Sequence, residues 1–257
     1  MLRHTSEIDG YAIGAADGPI GSITDFLFDD VTWLVRWLVV DTGEFLSGRK
    51  VLLPPSALRH VNHLGRQLSV TLAKQQVKDS PGTTADEPVS SQMETDLYDH
   101  YGWSPYWSTG FYMGGYGYAG GLFAPSALGF HAREREDEVA RRTHGDKHLR
   151  SVREVTGYHI HARDGEIGHV ADFLLEDGDW SIHYLVVDTR NWWPGKKVLI
   201  SPRSIESTDW STRTMNLDVD RRKVKESPAY DGSKAIDRAY EYEFHGYCDG
   251  RKVAEPV

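Results

Sequence analysis

The chain has 257 residues, of which 39% are hydrophobic and 26% charged, a globular balance with room for one large or two small domains. Its formal net charge of −9 implies no general attraction to nucleic acid or to acidic membranes. Most of the excess acid lies in residues 83–148 and 230–257. The single cysteine, Cys248, excludes an intrachain disulfide and fits a reducing compartment.

Residues 1–82 are predicted to form a first small β-domain. Turn signals such as Asp17-Gly18 and Pro54-Pro55 separate short runs rich in β-branched and aromatic residues. A short helix within Thr71–Lys78 is expected to close the domain. The expected strands are Tyr11–Ala16, Ile20–Phe28, Trp33–Val40, Lys50–Leu53, Leu58–Val61 and Gln67–Thr71.

The targeting signals of the chain are weak. Met1–Tyr11 lacks the apolar core of a secretory signal peptide, and the apolar runs are strand-sized. We therefore expect a cytoplasmic protein with no membrane insertion.

Residues 83–148 form a connector of different composition. Tyr98 to Phe130 holds eleven of the 29 aromatic residues of the chain, together with eight glycines. Such a segment is either a mobile linker or a strap that lays its rings on a β-domain or on a partner, and Tyr112, Tyr116 and Tyr118 are its candidate contact residues. A short helix is expected at Met93–Tyr98, and the charged stretch Glu134–Arg142 is interpreted as a solvated helix or linker.

Residues 149–229 repeat the first domain at a constant offset of 147 residues, and residues 230–257 form a C-terminal tail with a possible short helix at Ala235–Tyr242. Between positions 8 and 81, about 28 of 74 residues are identical in the second copy, without a gap. Leu38–Thr42 returns unchanged as Leu185–Thr189. The chain is therefore an internal duplication, and six short strands per copy favour a small closed barrel over a two-sheet sandwich.

The order of these motifs resembles the PRC-barrel domain family. Each copy carries Gly-Tyr, Asp-Gly, Ile-Gly, Asp-Phe-Leu, Val-Val-Asp-Thr, Gly-x-Lys-Val-Leu and a proline in that order. The family is named for the cytoplasmic part of the photosynthetic reaction-centre H subunit and also occurs at the C-terminus of a ribosome maturation factor. The resemblance covers residues 6–82 and 150–229. It implies an all-β fold of two small PRC-type barrels in tandem that dock protein partners, with no catalytic residues to carry over.

Two groups of side chains suggest chemistry. Asp41 and Asp188, with Asp25 and Asp172, recur in both copies and could pair as acid and base, but an Asp at a strand end more often bonds the backbone amides of the next loop. His159 and His161 share one face of a strand and could bind a metal in a hydrolase. Copy one has Ala12 and Gly14 at those positions, so we predict no metal, no cofactor and no enzyme.

The loop after each Val-Val-Asp-Thr is the predicted protein interface. It carries Phe45-Leu46 in copy one and Trp192-Trp193 in copy two, and large aromatic residues are enriched at interface anchors. The alternative is structural, with one ring closing the end of the barrel and the other packed on the loop. We expect a non-catalytic binding or assembly protein that associates with protein partners, including itself. The alternative function is an RNA-processing or ribosome-associated factor, although nucleic-acid binding is not indicated by the charge.

Overall fold

The computed structural model describes residues 1–81, 91–101, 147–189, 196–228 and 230–232, and for residues 91–95 only the backbone. These residues are mostly β, as predicted, with a few short helices. Within these ranges no helix is long and apolar enough to cross a membrane.

Among the described residues, the first copy contains seven strands and three helices, if the helix that follows it is counted. The strands are β1 (Leu2–His4), β2 (Ala12–Ala15), β3 (Gly18–Asp29), β4 (Val35–Asp41), β5 (Lys50–Leu53), β6 (Leu58–Asn62) and β7 (Gln67–Val70). The helices are α1 (Thr5–Ile8), α2 (Lys74–Lys78) and α3 (Ser91–Tyr101), with 3-10 turns at Gly43–Leu46 and Pro55–Ala57.

The second copy repeats this order. Its strands are β8 (Leu149–Ser151), β9 (His159–Ala162), β10 (Gly165–Glu176), β11 (Ile182–Asp188), β12 (Lys197–Ile200), β13 (Ile205–Asp209) and β14 (Thr214–Leu217). Its helices are α4 (Val152–Val155) and α5 (Arg221–Glu226), with a 3-10 turn at Pro202–Ser204. The expected closing helix within Thr71–Lys78 is present as α2, and its counterpart in copy two is α5. The helix expected at Met93–Tyr98 lies within α3, whereas Glu134–Arg142 and Ala235–Tyr242 lie outside the described residues.

Each copy builds one mixed sheet, with the strand orders β5-β4-β3-β2-β7-β6 and β12-β11-β10-β9-β14-β13. Each sheet contains a parallel contact, between β2 and β7 and between β9 and β14, whereas the hairpins β2–β3, β6–β7 and β13–β14 are antiparallel. In the described part of the chain the two end strands of each sheet do not pair with each other. The predicted closure into barrels is therefore not confirmed.

The first strand of each copy joins the sheet of the other copy. Strand β1 pairs with β10, with Leu2 opposite Glu176 and His4 opposite Leu174, and β8 pairs with β3. We call β1–α1 and β8–α4 the exchanged arms. The predicted strands did not include these two, although Leu2-Arg3 recurs as Leu149-Arg150 at the same offset of 147.

A half-buried aspartate holds each exchanged arm. Asp172 accepts hydrogen bonds from His4 Nδ1 (2.8 Å), Thr5 Oγ1 (2.7 Å) and Ser6 Oγ (2.5 Å) of the first arm. The equivalent Asp25 accepts from Ser151 Oγ (2.5 Å) and from the backbone N–H of residue 153 (3.1 Å) of the second arm. The contacts are reciprocal, which is the pattern of an isologous interface.

The turns that follow β3 and β10 pair with each other in the same reciprocal way. The N–H of Val35 donates to the carbonyl of Trp180 (3.0 Å), and the N–H of Ile182 donates to the carbonyl of Trp33 (2.7 Å). Leu34 and Ser181, which are equivalent positions, form the bridge between them. Trp33 and Trp180 both have positive φ, 59° and 62°, which is rare for a bulky residue and shows that the surrounding contacts impose this turn.

The described residues group into two compact units. One contains residues 1–11, 23–38 and those from 150 onward, and the other contains residues 12–22 and 39–149. The first unit has a core that includes Leu2, Leu174, Tyr184, Val186, Leu199 and Tyr230. The buried residues of the second include Ile13, Ile20, Leu53, Leu68 and Val70. The domain boundaries predicted from the repeat remain a prediction.

Candidate functional site

A wide groove of about 880 Å³ is the candidate binding site, and both copies line it. Copy one contributes the turn Asp30–Trp33. Copy two contributes Ser181–Tyr184, Ser201–Arg203, Ile205–Thr208 and Trp210. Because the paired turns set Trp33 beside Ile182, the groove depends on the reciprocal contact between copies.

Two unpaired strand edges border the groove. Strand β13 is the end strand of its sheet, and β11 pairs with β12 only from Leu185 to Asp188. Within the described ranges, His183 therefore has no strand partner on that side. Unpaired strand edges offer backbone donors and acceptors to an incoming extended chain.

Aromatic and charged side chains give the groove its chemistry. The guanidinium of Arg150 lies 3.9 Å from the centre of the Trp210 ring, and its Nε donates to Asp30 (3.0 Å). The cation–π contact and the ion pair fix the position of the Trp210 ring in the groove lining. Val31, which also lines the groove, is exposed despite its apolar side chain. The groove therefore combines fixed rings, an exposed apolar residue and polar strand edges, which suits a polypeptide ligand.

The β13 edge carries negative charge. Glu206 and Asp209 are both exposed. The Ser211 hydroxyl and the Thr212 N–H donate to Asp209, and these hydrogen bonds lower its pKa to about 2. This carboxylate thus stays charged across the physiological range.

The predicted interface residues lie elsewhere or outside the described residues. Phe45 and Leu46 lie in the 3-10 turn Gly43–Leu46, half-buried, with Lys74 Nζ 4.3 Å above the Phe45 ring. They do not line the groove. The other five lie outside the described residues: Trp192, Trp193, Tyr112, Tyr116 and Tyr118.

The repeated aspartates have structural partners. Asp41 accepts from the N–H of Gly43 (2.8 Å), which is the loop-capping role preferred in the sequence analysis. Asp25 and Asp172 line a small cavity of about 190 Å³ between the two arms. Burial raises the pKa of Asp25 more than its hydrogen bonds from Ser151 and backbone N–H groups lower it. At Asp172 burial also raises the pKa, but the bonds from His4, Ser6, Thr5 and an N–H outweigh it and hold the pKa below its ordinary value.

The histidine pair does not gather further ligands in the described part of the chain. His159 Nδ1 lies 3.0 Å from Glu166 Oε1 on the exposed surface. No group of three or more His, Cys, Asp or Glu side chains that could hold a metal occurs among the described residues.

Sequence reasoning missed the groove because no local pattern marks it. Its walls come from positions about 150 residues apart, and only the pairing of the two turns brings them together. The recurrence of Trp33 as Trp180 marks the two turns that pair, but it does not predict a groove between them.

Comparison with known proteins gives little further information. No family model matches the sequence. An uncharacterised protein of Deinococcus radiodurans is 36% identical over 86 residues, which are 33% of this chain and 31% of that protein. The similarity thus covers about a third of that relative's length.

Proposed function

We propose that this chain is a non-catalytic protein-binding and assembly module built from two tandem PRC-type barrels. The motif order that resembles that family supports the barrel assignment, and the identical strand order of the two sheets supports the tandem duplication. The observation that carries the binding function is the groove lined by both copies, with its two unpaired strand edges and its fixed Trp210 ring. The ribosome-associated and metal-hydrolase alternatives gain no support from the described residues.

The groove is expected to contribute to self-association. Ser207 is exposed on β13 and lines the groove, so Ser207→Arg places a long charged side chain across the unpaired edge. We expect the association constant from sedimentation equilibrium to fall by about tenfold or more, because blocking an anchor region typically costs more than about 1 kcal/mol. Folding should be unaffected, since exposed substitutions usually change stability by less than about 0.5 kcal/mol.

Gln75→Arg is the matched control. It adds the same charge at an exposed position of α2, outside the groove, where the longer side chain would still reach the carboxylate of Asp79 that Gln75 now contacts. Equal association of the two variants and the unmodified protein would contradict a role for the groove.

The aromatic loop of copy two is a separate candidate. We expect Trp192→Ala together with Trp193→Ala to weaken self-association in light scattering, since large aromatic residues dominate interface energetics. The equivalent pair, Phe45→Ala with Leu46→Ala, tests the loop of copy one. If mass and partner capture are unchanged in both double variants, these loops are not the interface.

A further inference from the structure

The β6–β7 hairpin of copy one differs from its counterpart in copy two at its tip and along its edge. Leu64 stands at the tip and is fully exposed, whereas the equivalent position in copy two is Ser211. Asn62 Oδ1 accepts from the N–H of Gly65 (2.9 Å), so the turn that presents Leu64 is well defined. A lone exposed leucine needs no explanation, but this one is combined with a charged strand edge.

The outer edges of β6 and β13 carry opposite charges at one pair of equivalent positions, Arg59 and Glu206. Arg59 and His60 are exposed on β6, where β13 has Glu206 and Ser207. Each strand is the end strand of its sheet, and in the described part of the chain neither Arg59 nor Glu206 has an ion-pair partner. Each also coincides with an irregularity in the hairpin register, between Leu58 and His60 and between Ile205 and Ser207.

The charge reversal decides which edges can pair. Two β6 edges would oppose positive charges and two β13 edges would oppose negative charges, and like charges across a strand pair are destabilising. A β6 edge that pairs with a β13 edge instead brings the positive charge of Arg59 near the negative charge of Glu206, and this interaction is attractive. Such use of charge to exclude the wrong pairing is a common source of specificity.

We propose that the groove of one chain receives the β6–β7 hairpin of a second copy of this chain. Leu64 enters the aromatic part of the groove near Trp33, Trp210 and Val31, and the Arg59–His60 edge faces Glu206 and Asp209. The contact is heterologous, because the apolar tip belongs to copy one and the groove is lined mainly by copy two. This inference rests on the proposed binding function and names the partner of the groove.

Charge exchange tests the pairing in the full-length protein. Arg59→Glu and Glu206→Arg are each expected to raise the dissociation constant by about tenfold, since each turns an attraction into a repulsion. The double variant Arg59→Glu/Glu206→Arg, and an equimolar mixture of the two single variants, should both return to within about threefold of the unmodified protein. Leu64→Ser, which copies Ser211, is expected to weaken association by about tenfold as well.

Arg222→Glu is the control for the charge change, because Arg222 lies on α5 outside the groove, with its side chain largely in solvent. Sedimentation equilibrium at two salt concentrations measures association, and circular dichroism verifies the fold of each variant. The hairpin assignment is overturned if the single variants associate normally, or if the double variant and the mixture stay weak. If Ser207→Arg abolishes association while these variants do not, the groove function stands with another occupant. If Ser207→Arg also has no effect, the proposed function fails too.

Discussion

Gly168→Ala is expected to lower the free energy of unfolding by at least about 4 kcal/mol, at the extreme of what single substitutions do. A Cβ at position 168 would lie 2.0 Å from the carbonyl oxygen of Asp188 and 2.9 Å from its carbonyl carbon. These are backbone atoms of β11, so no side-chain rotation relieves the overlap. Gly168 also has φ +147°, a region that residues with a Cβ rarely adopt.

The duplication supplies both a replicate and a control. At the equivalent Gly21, a Cβ would lie 1.9 Å from the carbonyl oxygen of Asp41, so Gly21→Ala should be similarly damaging. At Gly14, on the neighbouring strand, the nearest atom would be 4.0 Å away, so Gly14→Ala should change stability by less than about 1 kcal/mol. Urea denaturation measures all three. If Gly168→Ala does not fold while Gly14→Ala folds normally, the expected result is obtained. Equal stability of the two variants would contradict the close approach of residue 168 to the carbonyl group of Asp188.

Asp172→Asn is expected to destabilise the protein by about 3 kcal/mol, because hydrogen bonds to a charged acceptor are strong and the arm donors are left unpaired. All the groups that contact this carboxylate donate hydrogen bonds to its two oxygens. Asn keeps only one of these acceptor oxygens and places an NH2 donor at the other position, facing the donors of the arm. His4 is affected most directly. Its Nδ1 donates to Asp172, and in the neutral ring its Nε2 accepts from the Tyr230 hydroxyl (2.7 Å).

Asp25→Asn is the matched substitution in the other copy, and we expect it to cost about 1 kcal/mol or less. Asp25 has fewer donors than Asp172, and burial raises its pKa, so its negative charge is already disfavoured. Replacing Asp25 by Asn removes this unfavourable charge, and the gain compensates part of the stability that is lost with the hydrogen bonds. Equal losses in the two variants, measured by denaturation at neutral pH, would show that the arms are not held as the hydrogen bonds indicate.

The lowered pKa of Asp172 also predicts how the stability of the folded protein depends on pH. The folded pKa of Asp172 is below the ordinary value of 3.8, so its stabilising contribution is complete above that value and is lost as pH falls through the folded pKa. Asp25, with a raised pKa, contributes in the opposite direction. Asp172→Asn should therefore flatten the acid loss of stability below about pH 4, while Asp25→Asn should not.

The exchange of the arms shows where sequence reasoning reached its limit. A three-residue strand such as Leu2–His4 is too short to display a two-residue alternation, and its pattern would be the same whichever sheet it joined. The choice of sheet depends on Asp172, which lies 168 residues from His4. Such partners become visible only when both surfaces are folded.

The binding loop was predicted on residue type alone, and the structure describes only the loop of copy one. Phe45 is partly covered by Lys74, a contact from α2 that the loop sequence does not reveal. The groove residues Trp33 and Trp210 are ordinary aromatic residues in the sequence. Their importance comes from their fixed positions, Trp33 in a strained turn and Trp210 under Arg150.

The sequence by itself determined the duplication, the mostly β architecture, six of the seven strands of each copy and the closing helices α2 and α5. These features were predictable because turn residues and β-branched runs are local patterns, and because the constant offset is found by comparing the sequence with itself. Only the tertiary structure decided that the copies exchange their first strands, that paired turns create a groove, and that Gly21 and Gly168 lie against a neighbouring backbone. These features depend on contacts between residues that are far apart in the sequence. Residue types and their spacing do not indicate which of these distant segments come into contact.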